Sequence, residues 1–105
     1  GHPTGRLLLK REGLDYDWKQ IFPFCVKNKK VLEINASPHR LDLPDTLVKQ
    51  AVKSGVALVI DSDAHTTNAM ELLKYGIYTA SRGWAEAKNI ANTWDFEKLS
   101  TYLAL

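Results

Sequence analysis

The stretch VLEINASPHRLDLPDTLVKQAVKSGVALVIDSDAH, running from Val31 to His65, decides the fold. It opens on one apolar run, Val31 to Ile34, and ends on another, Ala57 to Ile60. Both carry β-branched residues and turn-forming neighbours, the pattern of strands buried on both faces. Between them Pro44 to Ser54 reads as a helix, with Pro in its first turn, Gly55 at its stop, and Leu47, Val48 and Ala51 on one apolar face. Strand, helix and strand in this succession make a βα unit, and hence a parallel sheet.

The same alternation extends outward. Ile77 to Ala80 reads as a third strand, reached through a helix from about Ala69 to Tyr75. That helix has Asn68 and Glu71 at capping-box spacing and Gly76 as its stop. Upstream, Asp17 and Gln20 can cap a helix carrying Trp18, Ile21, Phe22 and Cys25, with Pro23 kinking it or delaying its start. Downstream, Ala85 to Ala91 reads as a helix, and Asp95 caps another through Phe96, Leu99, Tyr102 and Leu103. No internal repeat or low-complexity tract interrupts the series.

Composition narrows the class. With 45% hydrophobic and 25% charged residues in a chain of 105, disorder is excluded and a single globular domain is expected. A net charge of +2 and a pI near 8.7 are too mild to identify a nucleic-acid binder by charge alone. Cys25 is the one cysteine, so no intrachain disulfide forms, and a cytoplasmic location is expected. The longest apolar runs, such as Gly55 to Ile60, fall far short of the ~20 residues that span a bilayer, so no membrane partner is expected. The chain opens Gly1-His2-Pro3 without Met, which reads as a cut inside a longer protein.

Polar residues gather where the strands end, in Asn35 to Arg40, in Asp61 to Thr66, and in Ala80 to Gly83 after the expected third strand. In βα barrels this is the end that carries chemistry. Asp63 and His65 stand two apart, and in an extended segment both side chains point the same way, towards one metal. Carboxylate and imidazole suit Zn²⁺, Mn²⁺ or Fe²⁺ without choosing among them. On spacing alone, however, two solvated loop residues are the better reading of the pair. Asp61 shares their parity. Near the start, Pro3 and Gly5 mark a tight loop, from which Arg6 could meet a phosphate with its planar fork. His2 beside it reads, on spacing alone, as a histidine at a frayed end. Cys25, next to Phe22 and Phe24, reads as a small buried apolar group, and Trp18, Trp84 and Trp94 as packing residues.

Four stretches then carry a resemblance: His2-Pro3-Thr4-Gly5-Arg6-Leu7-Leu8, Leu32-Glu33-Ile34-Asn35-Ala36-Ser37-Pro38-His39-Arg40-Leu41-Asp42, Ser62-Asp63-Ala64-His65 and Leu73-Lys74-Tyr75-Gly76. With Arg82-Gly83-Trp84 and Asn92-Thr93-Trp94, they resemble the PHP domain attached to bacterial and archaeal family X DNA polymerases, in order and over essentially the whole chain. The resemblance implies an α/β fold, a distorted (β/α)7 TIM-like barrel, of which residues 1–105 would be the incomplete C-terminal part. It implies a cluster of two or three divalent ions, Mn²⁺ or Zn²⁺, hydrolysing phosphodiesters in a 3′-5′ exonuclease or DNA-end processing role in DNA repair. It places metal ligands at His2, Asp63 and His65, with the remaining ligand motifs upstream of Gly1 and no catalytic group separate from the ligands. Arg6, Arg40 and Arg82 become candidates for substrate phosphate, while Asp61 and His39 become supporting residues behind the ligands.

Two other readings stand beside this one: a free-standing PHP phosphatase of the histidinol-phosphatase type, and a non-catalytic scaffold that positions DNA. The isolated chain is expected to be inactive, to meet DNA only through its parent protein, and to self-associate through the open strand edges of a partial barrel.

Overall fold

A computed structural model describes residues 1–105 as an α/β domain with four helices and a two-stranded parallel sheet. In chain order the elements are α1 (Trp18–Lys27), β1 (Val31–Asn35), α2 (Asp45–Ser54), β2 (Ala57–Asp61), α3 (Leu73–Arg82) and α4 (Phe96–Leu103). The strands pair in register from Val31 with Ala57 to Asn35 with Asp61, so both C-terminal ends reach one edge of the sheet together. The β1–α2–β2 unit thus forms as the quoted stretch predicts. Pro44 is the N-cap of α2, and Gly55 closes it at φ 83°, a left-handed conformation that glycine adopts without strain.

One core holds these elements together. Ile34, Val48 and Leu58 are fully buried, joined by Phe22 and Cys25 from α1, Ala51 from α2, Ile60 from β2, Ala80 from α3 and Ile90 from the last third of the chain. Each large aliphatic side chain buried in this way stabilises the fold by roughly 1.5–3 kcal/mol. α1 runs through Pro23 without stopping, and Asp17 receives a hydrogen bond from the Gln20 amide at 2.8 Å instead of capping a backbone N–H. At the other end of the chain the expected cap forms: the Asp95 carboxylate accepts the Lys98 N–H at 2.7 Å and starts α4.

Three expected elements are corrected. Ile77 to Ala80 is not a strand; it lies inside α3, with Ile77 and Tyr78 exposed. Gly76 is not a stop either, because α3 continues through it and uses the missing side chain to approach the sheet. A Cβ there would lie 2.8 Å from the Ala36 Cβ and closer still to the Ile60 Cγ2. The helix expected from about Ala69 to Tyr75 begins as a 3₁₀ segment, Asn68–Leu72, in which Asn68 and Glu71 form no capping box, and is α-helical only from Leu73, where α3 starts. The helix expected over Ala85 to Ala91 resolves into two 3₁₀ turns, Ala87–Asn89 and Ala91–Thr93, with Ile90 extended between them.

That extended residue matters to the sheet. Ile90 makes a parallel bridge to Leu58, and the Asn92 amide donates to the Ile60 carbonyl at 3.0 Å and accepts the Ile60 N–H at 2.8 Å. On the other side, Asn35 bridges antiparallel to Asp42, and the Leu43 N–H reaches the Glu33 carbonyl at 3.3 Å. Both outer edges of the sheet are therefore partly covered. Trp18 stacks on Phe22 and Trp94 meets Tyr102, as packing aromatics do, but Trp84 is 70% exposed with the Lys49 ammonium 3.8 Å from its ring. No helix is long and apolar enough to cross a membrane.

Candidate metal centre

The loop after β2 carries Asp63 and His65, both exposed. The alternation argument for bringing them together does not hold, because β2 ends at Asp61 and Asp63 turns into the left-handed region at φ 55°. What joins the two is a contact from ring to backbone, not two side chains facing the same way. The His65 Nδ1 lies 2.7 Å from the Asp63 carbonyl oxygen. In the tautomer that donates its Nδ1 proton there, Nε2 keeps a free lone pair, the arrangement in which imidazole serves as a metal ligand. Aspartate tolerates the left-handed conformation better than most residues.

The Asp63 carboxylate is itself held. Asn35, 1% exposed at the end of β1, donates its side-chain N–H to the Asp63 Oδ2 at 3.2 Å. The Asn35 Oδ1 accepts the Ser37 N–H at 3.0 Å, which fixes the orientation of the amide. The donor set thus suits a divalent ion: an anionic oxygen, a neutral imidazole nitrogen, and a neighbour that orients the carboxylate.

His2 is exposed and stands apart from this pair. Its backbone N–H donates to the Glu33 carboxylate on β1, and its carbonyl accepts the Gly5 N–H at 2.9 Å to close a tight turn. Beneath that turn lies Asp42, 0% exposed, whose carboxylate accepts the Thr4 N–H at 3.0 Å and the Gly5 N–H at 2.9 Å. No three His, Cys, Asp or Glu side chains converge to hold an ion, so His2, Asp63 and His65 do not form one ligand group in this structure.

The three arginines differ in what they have left to offer. Arg6 spends its fork on the backbone, donating Nε to the Arg40 carbonyl at 2.8 Å and a terminal nitrogen to the Leu41 carbonyl. Arg40 returns one long bond of 3.4 Å to the Arg6 carbonyl. Arg82 lies at the end of α3, not after a strand, and donates to the Asp45 carboxylate at 2.8 Å beside the first turn of α2. That guanidinium holds the Asp45 carboxyl below its usual range. Asp61 is exposed at the end of β2, with its carbonyl accepting the Ala36 N–H at 2.7 Å. His39 is exposed, and its carbonyl accepts the Leu8 N–H at 2.8 Å.

Asn35 and Asp42 were visible in the sequence only as members of a motif, without a role. The one available signal was an acid, Asp42, placed between the apolar residues Leu41 and Leu43 in a segment whose neighbours are buried.

No family model matches the chain. The chain is 38% identical over 102 residues, 97% of its length, to the DNA polymerase/3'-5' exonuclease PolX of Bacillus subtilis (strain 168). It spans 18% of the length of that protein.

Proposed function

This chain is a segment related to family X DNA polymerases, and from that premise we propose that it is part of a PHP-type metal-dependent phosphoesterase unit serving 3′-5′ exonuclease action on DNA. The observation that carries the reading is the Asp63–His65 pair at the C-terminal end of β2, with the His65 Nε2 left free and the Asp63 carboxylate held by Asn35. Asp63, His65 and, by its motif, His2 would hold Mn²⁺ or Zn²⁺, in a set of two or three ions completed by ligands from other parts of a longer protein. When bound, such an ion lowers the pKa of a water and offsets the charge of a phosphodiester.

The chain's own residues do the remaining work. Asp63 brings negative charge to the site, His65 a neutral donor whose ring is locked by the Asp63 carbonyl, and Asn35 the orientation of the carboxylate. Arg40 has the least committed guanidinium of the two arginines near the His2 turn, and is the better candidate for a substrate phosphate. The β1–α2–β2 unit would supply two neighbouring strands of a distorted (β/α)7 barrel. DNA is the partner through the longer protein, in a cytoplasmic setting.

The test uses the longer protein that contains this segment. Bound Mn²⁺ or Zn²⁺ is measured, and cleavage of 3′-labelled single-stranded DNA is compared with release of phosphate from a small ester such as histidinol phosphate. Asp63→Ala and His65→Ala should each abolish DNA cleavage while leaving nucleotide addition intact. Absence of bound metal, or cleavage unchanged in both variants, sinks the reading; preference for the small ester turns it towards a phosphatase. The 105-residue chain alone should hydrolyse neither substrate, because three ligands from part of a barrel are too few to assemble a multi-ion site.

A further inference from the structure

The two loops that carry the candidate ligands are far apart in sequence and have no direct bond between them, yet both rest on one backbone bridge. Asn35 and Asp42 face each other across that bridge, at the end of β1, with 1% and 0% of their surfaces exposed. Their side chains serve different loops. The Asp42 carboxylate takes the Thr4 and Gly5 N–H groups, at 3.0 and 2.9 Å, and so seats the turn that begins at His2. The Asn35 amide takes the Asp63 carboxylate at 3.2 Å. We infer that Asn35 and Asp42 are paired positioning residues, which fix the His2 turn and the Asp63 carboxylate relative to one another through the bridge that joins them.

Two physical arguments carry this. A fully buried carboxylate is costly unless its oxygens are bonded, and here they are bonded to backbone N–H groups of a surface turn, not to a core element. Removing the acceptor would therefore release that turn first. Moreover, the bridge is anchored on Asn35, the last residue of β1, so the spacing of the two loops follows from the end of a strand and not from the loops themselves. The role as metal-site positioning rests on the phosphoesterase reading; the mechanical seating of the two loops does not.

The experiment separates them. In the unmodified 105-residue chain without metal, the Thr4 amide, whose bonds are to the Asp42 carboxylate alone, should exchange with solvent at least tenfold more slowly than the amides of Glu12 and Gly13 in the following exposed stretch. Equal rates overturn the proposal, whether or not any variant folds. In Asp42→Ala, which leaves no acceptor, the protection of Thr4 should be lost while β1 and β2 amides keep theirs; Gly5 retains its bond to the His2 carbonyl. In Asn35→Ala, Thr4 and Gly5 should stay protected and the Asp63 signals should shift instead.

In the longer protein, Mn²⁺ titration at a temperature where each variant is folded should then show it binding roughly 10–100-fold more weakly, the effect expected when a group behind a ligand is removed. Loss of protection without any change in Mn²⁺ affinity overturns positioning of the metal site and leaves only a fold role. A wild-type protein that binds no Mn²⁺, with the exchange pattern as described, counts against the phosphoesterase reading and keeps the seating.

Discussion

Replacing Gly76 by Ala isolates the contact that lets α3 lie against the sheet. Gly76 is buried in mid-helix, so propensity alone favours the change, by up to about 1 kcal/mol. The space opposes it. The new methyl would sit 2.8 Å from the Ala36 Cβ and 3.5 Å from the Ala36 Cα, and would overlap the Ile60 Cγ2. Forcing one extra carbon into a filled core costs roughly 1–3 kcal/mol, and backbone at Ala36 cannot swing aside as a side-chain tip would. The expected net loss is about 1 kcal/mol, the middle of that packing cost less the propensity gain, a fall of roughly 4–8 °C in Tm for a domain of this size.

Urea unfolding of the wild type and Gly76→Ala measures it, and Ile60→Ala supplies the second arm of a cycle. With the Ile60 branch gone, the same glycine substitution should cost at least ~1 kcal/mol less, since two residues in contact are coupled. A Gly76→Ala protein as stable as wild type, or one that loses the same amount in the Ile60→Ala background, would refute the close-approach argument. The displacement should also reach the candidate site, because Ala36 follows Asn35 and Ile60 precedes Asp61.

Other outcomes follow from single contacts. Asn92→Ala removes both bonds to Ile60 and should cost about 1–3 kcal/mol in urea unfolding, by exposing or orphaning the Ile60 backbone groups; a loss under ~0.3 kcal/mol would show that water replaces the amide freely. Arg82→Met should raise the Asp45 pKa towards its ordinary value, followed by NMR of the carboxyl carbon. Because the folded-state pKa is depressed, the pair's small contribution to stability is present above the unfolded-state value and is lost as pH falls through the folded-state value; a wild-type Asp45 that titrates normally contradicts it. Burial pushes the Cys25 thiol up, so iodoacetamide at pH 8 should label it only as the chain unfolds, with mass spectrometry of the native protein showing the unmodified mass.

How much was legible in the sequence depended on whether the signal was local. The β1–α2–β2 unit was legible because its apolar runs and the Pro44 and Gly55 punctuation act on their own neighbours. Gly76 was misread because a glycine that stops a helix and one that admits a neighbouring sheet look alike in a sequence. With Gly76 taken as a stop, Ile77 and Thr79 suggested a strand, although their run continues a helix and leaves Ile77 in solvent. At the candidate site, the contact of the His65 ring with the Asp63 carbonyl was not legible, since a positive φ at a non-glycine residue leaves no mark in the sequence. The commitments of Arg6 and Arg82 depend on carbonyls and a carboxylate that lie 34 to 37 residues away along the chain, beyond the reach of motif spacing.

The Asn92 amide on β2 has a consequence for how this sheet could grow. It occupies, with one side chain, the donor and acceptor positions at Ile60 that the backbone of an incoming strand would use. Strand addition along this edge is therefore a substitution reaction rather than a simple association. The incoming backbone competes with a resident group tethered at high effective concentration, and only a partner offering a longer ladder than this two-bond clip can displace it.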